Sequence, residues 1–266
     1  MIETHTVAID EQVRLEYATS GDAKAPSVLL VHGNGPNWRQ FTPQLTSLAD
    51  RWHVIAPSLR GHGRSTLPAT PRREDLSIAR LAADVLVLLD HLEVARVHLV
   101  GNSVGGLVGL ELARSAPQRL ATLTTFGTTA QLSSSRALAH SMTLLVRLVG
   151  TSGVGRLTSL GIKDREAGRR IAALMAMADP VAVRLLAENI ASYDHTATLA
   201  TSSIPTLLLR CELDRGINRA LDTTLAALEG RDDAEVVDLA GAGHFANLEQ
   251  TDTFDRILRG FLEQHR

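Results

Sequence analysis

The segment that most constrains the fold of this chain runs from a strand-like stretch through a glycine–serine turn into a helix. Residues 96–100 are apolar enough for a short buried strand, the pentapeptide GNSVG follows at 101–105, and residues 107–113 continue with helical spacing. A serine between glycines at such a turn is typical of a nucleophile elbow, in which the backbone of Ser103 is strained and its hydroxyl stands clear of the sheet. An ordinary strand-to-helix turn is the alternative, and the pentapeptide alone does not separate the two.

Strand-like and helical segments alternate along most of the chain. Short apolar runs predict strands at 4–9, 13–17, 27–31, 53–56, 96–100, 120–126, 205–210 and 235–239. Amphipathic or helix-rich segments predict helices at 41–50, 77–92, 107–113, 218–228 and 251–264. Because strands that alternate with helices pair in parallel, we predict an α/β fold with a mostly parallel sheet and helices on both faces.

The alternation is interrupted once. From about residue 131 to residue 199 the chain reads as a set of helical segments without a convincing strand. A helical block between two strands of one sheet is best explained as an insertion. We therefore predict a core of residues 1–128 and 200–266, with an inserted helical cap at residues 129–199.

Composition excludes several classes of partner. The net charge is −2 and aromatic residues make up 3% of the chain, so neither nucleic acid nor an anionic membrane is expected to bind. The single cysteine, Cys211, permits no internal disulfide and no thiolate metal cluster, and no H-E-x-x-H spacing is present. We therefore expect a cytoplasmic protein that uses no metal and no cofactor.

A nucleophilic Ser103 would need a base and an acid, and in this type of fold they follow in the order Ser, Asp or Glu, His. His244 lies in a glycine-rich loop directly after the predicted strand 235–239, and Asp214 follows the predicted strand 205–210. Each candidate thus ends a different strand, in the required order. Glu212 is the alternative acid; His265, next to the last residue of this sequence, is a weaker candidate for the base.

Hydrolysis of an acyl group also needs donors for the oxyanion. The loop HGNG at 32–35 follows the third predicted strand, and we expect the backbone N–H groups of Asn34 and Val104 to form the oxyanion hole. His32 is expected to brace this loop rather than act as a second base. The segment RGHGRS at 60–65 lacks the ending of a phosphate-binding loop, so we interpret it as a structural turn.

Over nearly its full length the chain resembles the α/β-hydrolase superfamily. The resemblance is carried by the segments 32–35, 60–65, 101–106 and 243–249 and by Asp214. It implies an eight-stranded sheet with a helical cap over the active site.

Two groups within the superfamily are similar to this chain. The ending NLEQ at 247–250 resembles 3-oxoadipate enol-lactonases and related small esterases, whereas HGNGP at 32–36 with GNS at 101–103 resembles the meta-cleavage-product hydrolases, which break carbon–carbon bonds. The latter usually carry a Trp shortly after the catalytic His, where this chain has Leu248. That departure disfavours carbon–carbon cleavage.

The sequence therefore predicts a cofactor-free serine hydrolase that cleaves a small carboxylic ester or lactone. The Leu, Ala and Met content of the predicted cap favours a substrate with an apolar portion. Candidate ligands for a substrate carboxylate in the cap are Arg147, Arg156, Arg165 and Arg184. Carbon–carbon hydrolysis and perhydrolysis on the same triad are alternatives, and so is a ligand-binding sensor that retains the pocket without turnover.

Overall fold

An eight-stranded sheet forms the centre of the molecule. The computed structural model describes residues 1–133 and 136–266, and for residues 136–142 the helical backbone alone. The described residues form ten strands: β1 (Glu3–Ala8), β2 (Arg14–Ser20), β3 (Ser27–Val31), β4 (His53–Pro57), β5 (Val97–Asn102), β6 (Leu120–Phe126), β7 (Gln131–Ser133), β8 (Ser192–Asp194), β9 (Thr206–Cys211) and β10 (Ala234–Leu239). The main sheet has the order β1-β2-β4-β3-β5-β6-β9-β10, and β2 runs opposite to the other seven strands.

Helices cover both faces of this sheet. They are α1 (Thr42–Ser47), α2 (Ile78–His91), α3 (Val104–Ser115), α4 (Arg136–Leu160), α5 (Arg165–Met175), α6 (Pro180–Asn189), α7 (Thr196–Thr201), α8 (Arg215–Asn218), α9 (Asp222–Leu228), α10 (Ala246–Glu249) and α11 (Thr251–Gln264). None of the helices in the described part of the chain is long and apolar enough to cross a membrane.

The core lies in two layers, one on each face of the sheet. Every residue of β3, β4 and β5 is buried, as expected for parallel strands covered on both sides. One apolar cluster joins the sheet to α2 and α3, and a second joins it to α1 and α11. The carboxyl ends of β3, β5, β6, β9 and β10 therefore meet at one edge, where side chains on the following loops can converge.

The eight strands predicted from the sequence are confirmed, and the α/β-hydrolase sheet with them. Helix α3 begins at Val104, directly after the turn, as the strand–turn–helix pattern predicted, although Gly105 and Gly106 conceal the helical spacing of its first turn. One predicted helix was wrong. The predicted helix 218–228 is instead two short helices, α8 and α9. Asp214 precedes the first and caps it, since its side chain accepts a hydrogen bond from the N–H of Ile217.

The chain between β6 and β9 adds four helices and one small sheet. Strands β7 and β8 pair antiparallel from Gln131 opposite Asp194 to Ser133 opposite Ser192, so the prediction of a segment without strands was wrong. Three-residue strands are too short to show a periodic pattern. Helix α4 is kinked at Gly150, where φ is +65° and ψ is 177°. This inserted segment has its own apolar cluster, which includes Ile171 and also Phe245 of the core.

Candidate active site

Ser103 has the strained backbone expected at a nucleophile elbow. Its φ is +53° and its ψ is −116°, and Glu93 is the one other non-glycine residue with positive φ in the described chain. Neighbouring groups hold this conformation: the Ser103 N–H donates to the carbonyl of Phe126 at 3.0 Å, and Thr128 Oγ1 donates to the Ser103 carbonyl at 2.9 Å. The elbow is thus fixed to the end of β6.

Glycines allow three segments to pack closely around Ser103. A methyl group on Gly105 would overlap the carbonyl oxygen of Val31, and one on Gly101 would overlap the backbone of Gly105. A Cβ atom on Gly33 would lie 3.1 Å from the Cβ of Ser103. The loop after β3 therefore lies directly against the elbow.

The two other predicted residues meet at the same edge of the sheet. His244 Nδ1 lies 2.6 Å from Asp214 Oδ2, across the loops that follow β10 and β9. A Cβ atom on Gly127, just after β6, would lie 3.0 Å from His244 Cε1, so the imidazole lies against the strand end that also holds Ser103. No hydrogen bond joins the Ser103 hydroxyl to His244 in this structure. Such bonds are often long in unliganded enzymes.

The loop that carries His244 is held by two side chains. The Glu249 carboxylate accepts from the N–H groups of Gly243, at 3.2 Å, and Phe245, at 3.0 Å. Asn102 Nδ2 donates to the carbonyl of His244 at 2.9 Å. Burial raises the pKa of Glu249, against the lowering effect of the two N–H groups. These contacts fix the backbone on both sides of the imidazole.

Asn102 belongs to a buried amide network. Gln40 Nε2 donates to Asn102 Oδ1 at 2.9 Å and to Asn247 Oδ1 at 3.2 Å, and Asn247 Nδ2 donates to Gln44 Oε1 at 3.0 Å. All four side chains are fully buried. They connect the strand before Ser103 to helix α10 after His244. Sequence analysis missed this network, because isolated Asn and Gln residues carry no spacing signal.

The predicted oxyanion donors are available. The backbone N–H groups of Asn34 and Val104 donate to no group of the described residues. Asn34 is also fixed through its side chain, since its Nδ2 donates to the carbonyl of Val183 in the inserted segment at 2.9 Å. Its Oδ1 lies 3.3 Å from His62 Nε2.

His32 braces the loop, as the sequence predicted. Its Nε2 accepts from the N–H of Leu59 at 2.9 Å, and its Nδ1 therefore donates to the carbonyl of Gly33 at 2.6 Å. Burial, with a smaller effect of His62, holds the pKa of His32 well below its usual value, so the ring is neutral. Both ring nitrogens are occupied, which leaves none to act as a base.

Segment 60–65 forms a turn under the loop. Arg60 is fully buried and pairs with Asp84 through two hydrogen bonds, while Gly61 and Gly63 take positive φ.

Among the described residues, no group of three or more His, Cys, Asp or Glu side chains is arranged to hold a metal ion.

A cavity of about 650 Å³ opens beside the histidine–aspartate pair. Apolar side chains of the inserted segment line it, among them Val154, Met175 and Val183, together with Phe245 of the core. Its polar lining residues include Asn34, Asp214, Arg215, His244 and Glu249. Ser103 and Val104 are not among the lining residues.

The four arginines proposed from the sequence as carboxylate ligands do not line this cavity. Arg147, Arg156 and Arg165 are exposed on helix surfaces, and Arg184 pairs with Glu188 at 3.0 Å. Their positions follow from helix geometry, since charged residues take the solvent face. The arginine at the cavity is Arg215 of the core, which sequence analysis missed.

A strained serine after the central strand of a mostly parallel sheet, with an imidazole–carboxylate pair at the same edge, defines the α/β hydrolases as a class. Residues 28–257 match the alpha/beta hydrolase family, and the chain belongs to it. Relatives and structural neighbours that cover nearly the whole chain include an enol-lactonase, a hydrolase and an esterase, and this protein is a hydrolase of that fold.

Three similar proteins illustrate the range of the family. The chain is 27% identical to 3-oxoadipate enol-lactonase 2 of Acinetobacter baylyi over 261 residues, which are 96% of this chain and 95% of the relative. A hydrolase from Pseudomonas aeruginosa superposes with a TM-score of 0.83 at 26% identity, covering 98% of each chain. A thermophilic esterase from Thermogutta terrifontis gives 0.83 at 25% identity, covering 100% of both.

Proposed function

We propose that this enzyme is a serine hydrolase that cleaves a small carboxylic ester or lactone through an acyl-enzyme. Ser103 is the nucleophile, His244 the general base and Asp214 the residue that orients the imidazole. One observation carries the proposal. His244 lies 2.6 Å from Asp214, at the end of β6, and the same strand end holds the strained backbone of Ser103.

The reaction proceeds in two balanced steps. Ser103 Oγ adds to the carbonyl carbon while its proton passes to His244 Nε2, which is free to take it because Nδ1 faces Asp214. The imidazolium then protonates the leaving oxygen, and the carbon–oxygen bond of the ester breaks. Water attacks the acyl-enzyme with the same histidine as base and releases the acid and Ser103.

The backbone N–H groups of Asn34 and Val104 stabilise the oxyanion of each tetrahedral intermediate. Both are free of partners within the described chain, as donors reserved for a transition state would be. The side-chain bond of Asn34 to Val183 and the closeness of Gly33 to Ser103 support their positions. Loss of one such donor typically costs on the order of 3 kcal/mol of transition-state stabilisation.

The inserted segment at residues 129–199 acts as a cap over this site. Its apolar side chains on the cavity support a substrate with an apolar portion. The enol-lactonase relative and the esterase neighbour support cleavage of a lactone or ester rather than another bond. The cytoplasmic location, and the expectation of no metal, cofactor, nucleic-acid or membrane partner, remain predictions from the sequence.

Replacing Ser103 by alanine tests the proposal. We expect the purified protein to hydrolyse 4-nitrophenyl acetate or butyrate, and Ser103→Ala to lower kcat by at least about a thousandfold, because covalent catalysis is lost. A fluorophosphonate probe should label the parent enzyme and not the variant. Circular dichroism checks that the variant is folded.

Four results would contradict the proposal. Full activity in Ser103→Ala would exclude this nucleophile. A parent enzyme that is inert to a broad ester panel and to the probe would favour a sensor. Turnover restricted to vinylogous 1,5-diketones would favour carbon–carbon hydrolysis, and halogenation driven by peroxide and acetate would favour perhydrolysis.

A further inference from the structure

Some of the charged residues that line the cavity have a hydrogen-bond partner, and one does not. Asp214 is bonded to His244, and Glu249 accepts two N–H groups of its own loop. Arg215 also lines the cavity, but its guanidinium makes no hydrogen bond or ion pair with any of the described residues. It is the one uncommitted charged side chain of the described lining.

Two arginines of β9 and of the loop before β10 are paired. Arg210 pairs with Asp238, and Arg231 pairs with Asp233 at 2.9 Å. Arg219, on the same turn as Arg215, is exposed and also makes no side-chain hydrogen bond or ion pair with the described residues, but it does not line the cavity. Arg215 is therefore the unpaired arginine of this turn that a ligand in the cavity would meet.

We propose that Arg215 binds a carboxylate of the substrate, and that the natural substrate is an ester or lactone with an apolar portion and a free carboxylate. This inference rests on the function proposed above. The planar guanidinium fork matches a carboxylate in two parallel hydrogen bonds. The apolar cavity wall receives the remainder of the molecule.

A carboxylate fits this cavity better than a phosphate does. One guanidinium balances one negative charge, whereas a phosphate dianion would leave a charge to be desolvated against apolar side chains. The cavity already carries the carboxylates of Asp214 and Glu249, which repel a dianion more than a monoanion. Arg215 thus selects for a monovalent anionic group.

A matched pair of esters tests the assignment. 4-Nitrophenyl hydrogen adipate carries a terminal carboxylate, and the 4-nitrophenyl ester of adipic monoamide has the same length without the charge. We expect the enzyme to favour the carboxylate in kcat/KM, and Arg215→Gln to lower that preference about tenfold, mainly through KM. Arg219→Gln is the control, because Arg219 is exposed on the same turn and does not line the cavity.

Binding without turnover separates this inference from the proposed function. Calorimetry with Ser103→Ala should show tighter binding of the carboxylate ester than of the amide, and the added Arg215→Gln change should remove the difference. Equal kcat/KM for the two esters in an otherwise active enzyme would overturn the role of Arg215 and leave the triad intact. An equal loss on both esters in Arg215→Gln would show that Arg215 supports the catalytic residues and does not bind the substrate carboxylate, and would overturn the assignment. If an analogue with a phosphonate in place of the terminal carboxylate bound more tightly than the carboxylate ester, the choice of carboxylate would be overturned.

Discussion

Asp214 combines two roles through its two carboxylate oxygens. Oδ1 accepts from the N–H of Ile217 at 3.4 Å and caps helix α8, whereas Oδ2 lies 2.6 Å from His244 Nδ1. Its side chain is 10% exposed, so little water competes for either oxygen. An aspartate after a strand is often only a helix cap. Here the cap fixes the rotamer that presents the other oxygen to the imidazole.

Replacing Asp214 by asparagine separates these roles. We expect Asp214→Asn to lower kcat by about ten-thousandfold, because an amide favours the wrong imidazole tautomer and cannot stabilise its cation. The stability of the fold should change little, since the amide oxygen still caps α8. Steady-state kinetics and urea unfolding measure the two effects.

Glu212→Gln is the matched control for this change. Glu212 was the alternative acid in the sequence, but its Oε2 accepts from the N–H of Gly241 at 2.7 Å, away from His244. An amide oxygen can keep that bond, so kcat should stay within about twofold. A large loss in Glu212→Gln with a small one in Asp214→Asn would reverse the assignment.

At this scale the sequence revealed the residues whose order along the chain is constrained. Ser103, Asp214 and His244 were selected because each follows a recognisable strand, and the structure places them at the same edge of the sheet. Arg215 and Glu249 were not assigned roles, because a role at a cavity wall or in a backbone cradle depends on where loops fold back. No sequence motif fixes the position of either residue relative to the strands.

Helix α3 and strand β3 pack so closely that the first turn of α3 requires glycine. A Cβ atom on Gly105 would overlap the carbonyl oxygen of Val31, which is backbone and cannot move aside without shifting β3. The elbow, strand β3 and the loop that follows β3 are therefore one packed unit. Its geometry depends on a missing methyl group.

We expect Gly105→Ala to destabilise the protein by about 2 kcal/mol or more and to reduce activity, since overpacking displaces the loop of Asn34. Gly260→Ala in α11 is the control, because a Cβ atom there would meet nothing within 4 Å. That change should stabilise the protein by about 0.5–1 kcal/mol through helix propensity. Equal unfolding midpoints for the two variants would contradict this account of the elbow.

Among the elements, long or fully apolar segments were predictable and short or broken ones were not. Buried strands such as β3 and β5 show as continuous apolar runs. The β7–β8 pair is three residues long on each side, and Gly150 bends α4 without a proline to mark the place. Their conformations depend on tertiary contacts, which local pattern does not report.

Buried histidines make the whole molecule sensitive to acid. Burial lowers the pKa of His62 and of His98 from 6.5 to about 4. Asp179 raises the pKa of His62 in opposition to burial, and Arg96 and His265 lower that of His98 further. Both rings are therefore neutral in the folded enzyme at pH 7.

Because these pKa values are depressed on folding, the unfolded chain binds more protons than the native state between pH 6.5 and 4. The contribution of these two histidines to the free energy of unfolding is complete above pH 6.5 and is lost as the pH drops towards 4. At pH 5 each histidine should cost about 2 kcal/mol of unfolding free energy. Urea unfolding at pH 7.5, 6 and 5 measures the decline.

The variant His98→Gln tests the cause. Glutamine does not titrate, so the slope of stability against pH should be shallower by one proton between pH 6.5 and 5, whatever the stability at pH 7.5. An unchanged slope would show that His98 does not contribute to the acid sensitivity.

The small sheet of β7 and β8 has a consequence for engineering and for evolution. Gln131 lies opposite Asp194 and Ser133 opposite Ser192, so the chain leaves the hydrolase core and returns to it as neighbours in one ladder, about 5 Å apart. The β7–β8 strand pair joins the two ends of the inserted segment. The segment between them can therefore be exchanged for one of different length without moving the strands of the main sheet. Chimeras joined at the β7–β8 pair would acquire a new substrate selectivity while keeping the hydrolytic reaction of the core.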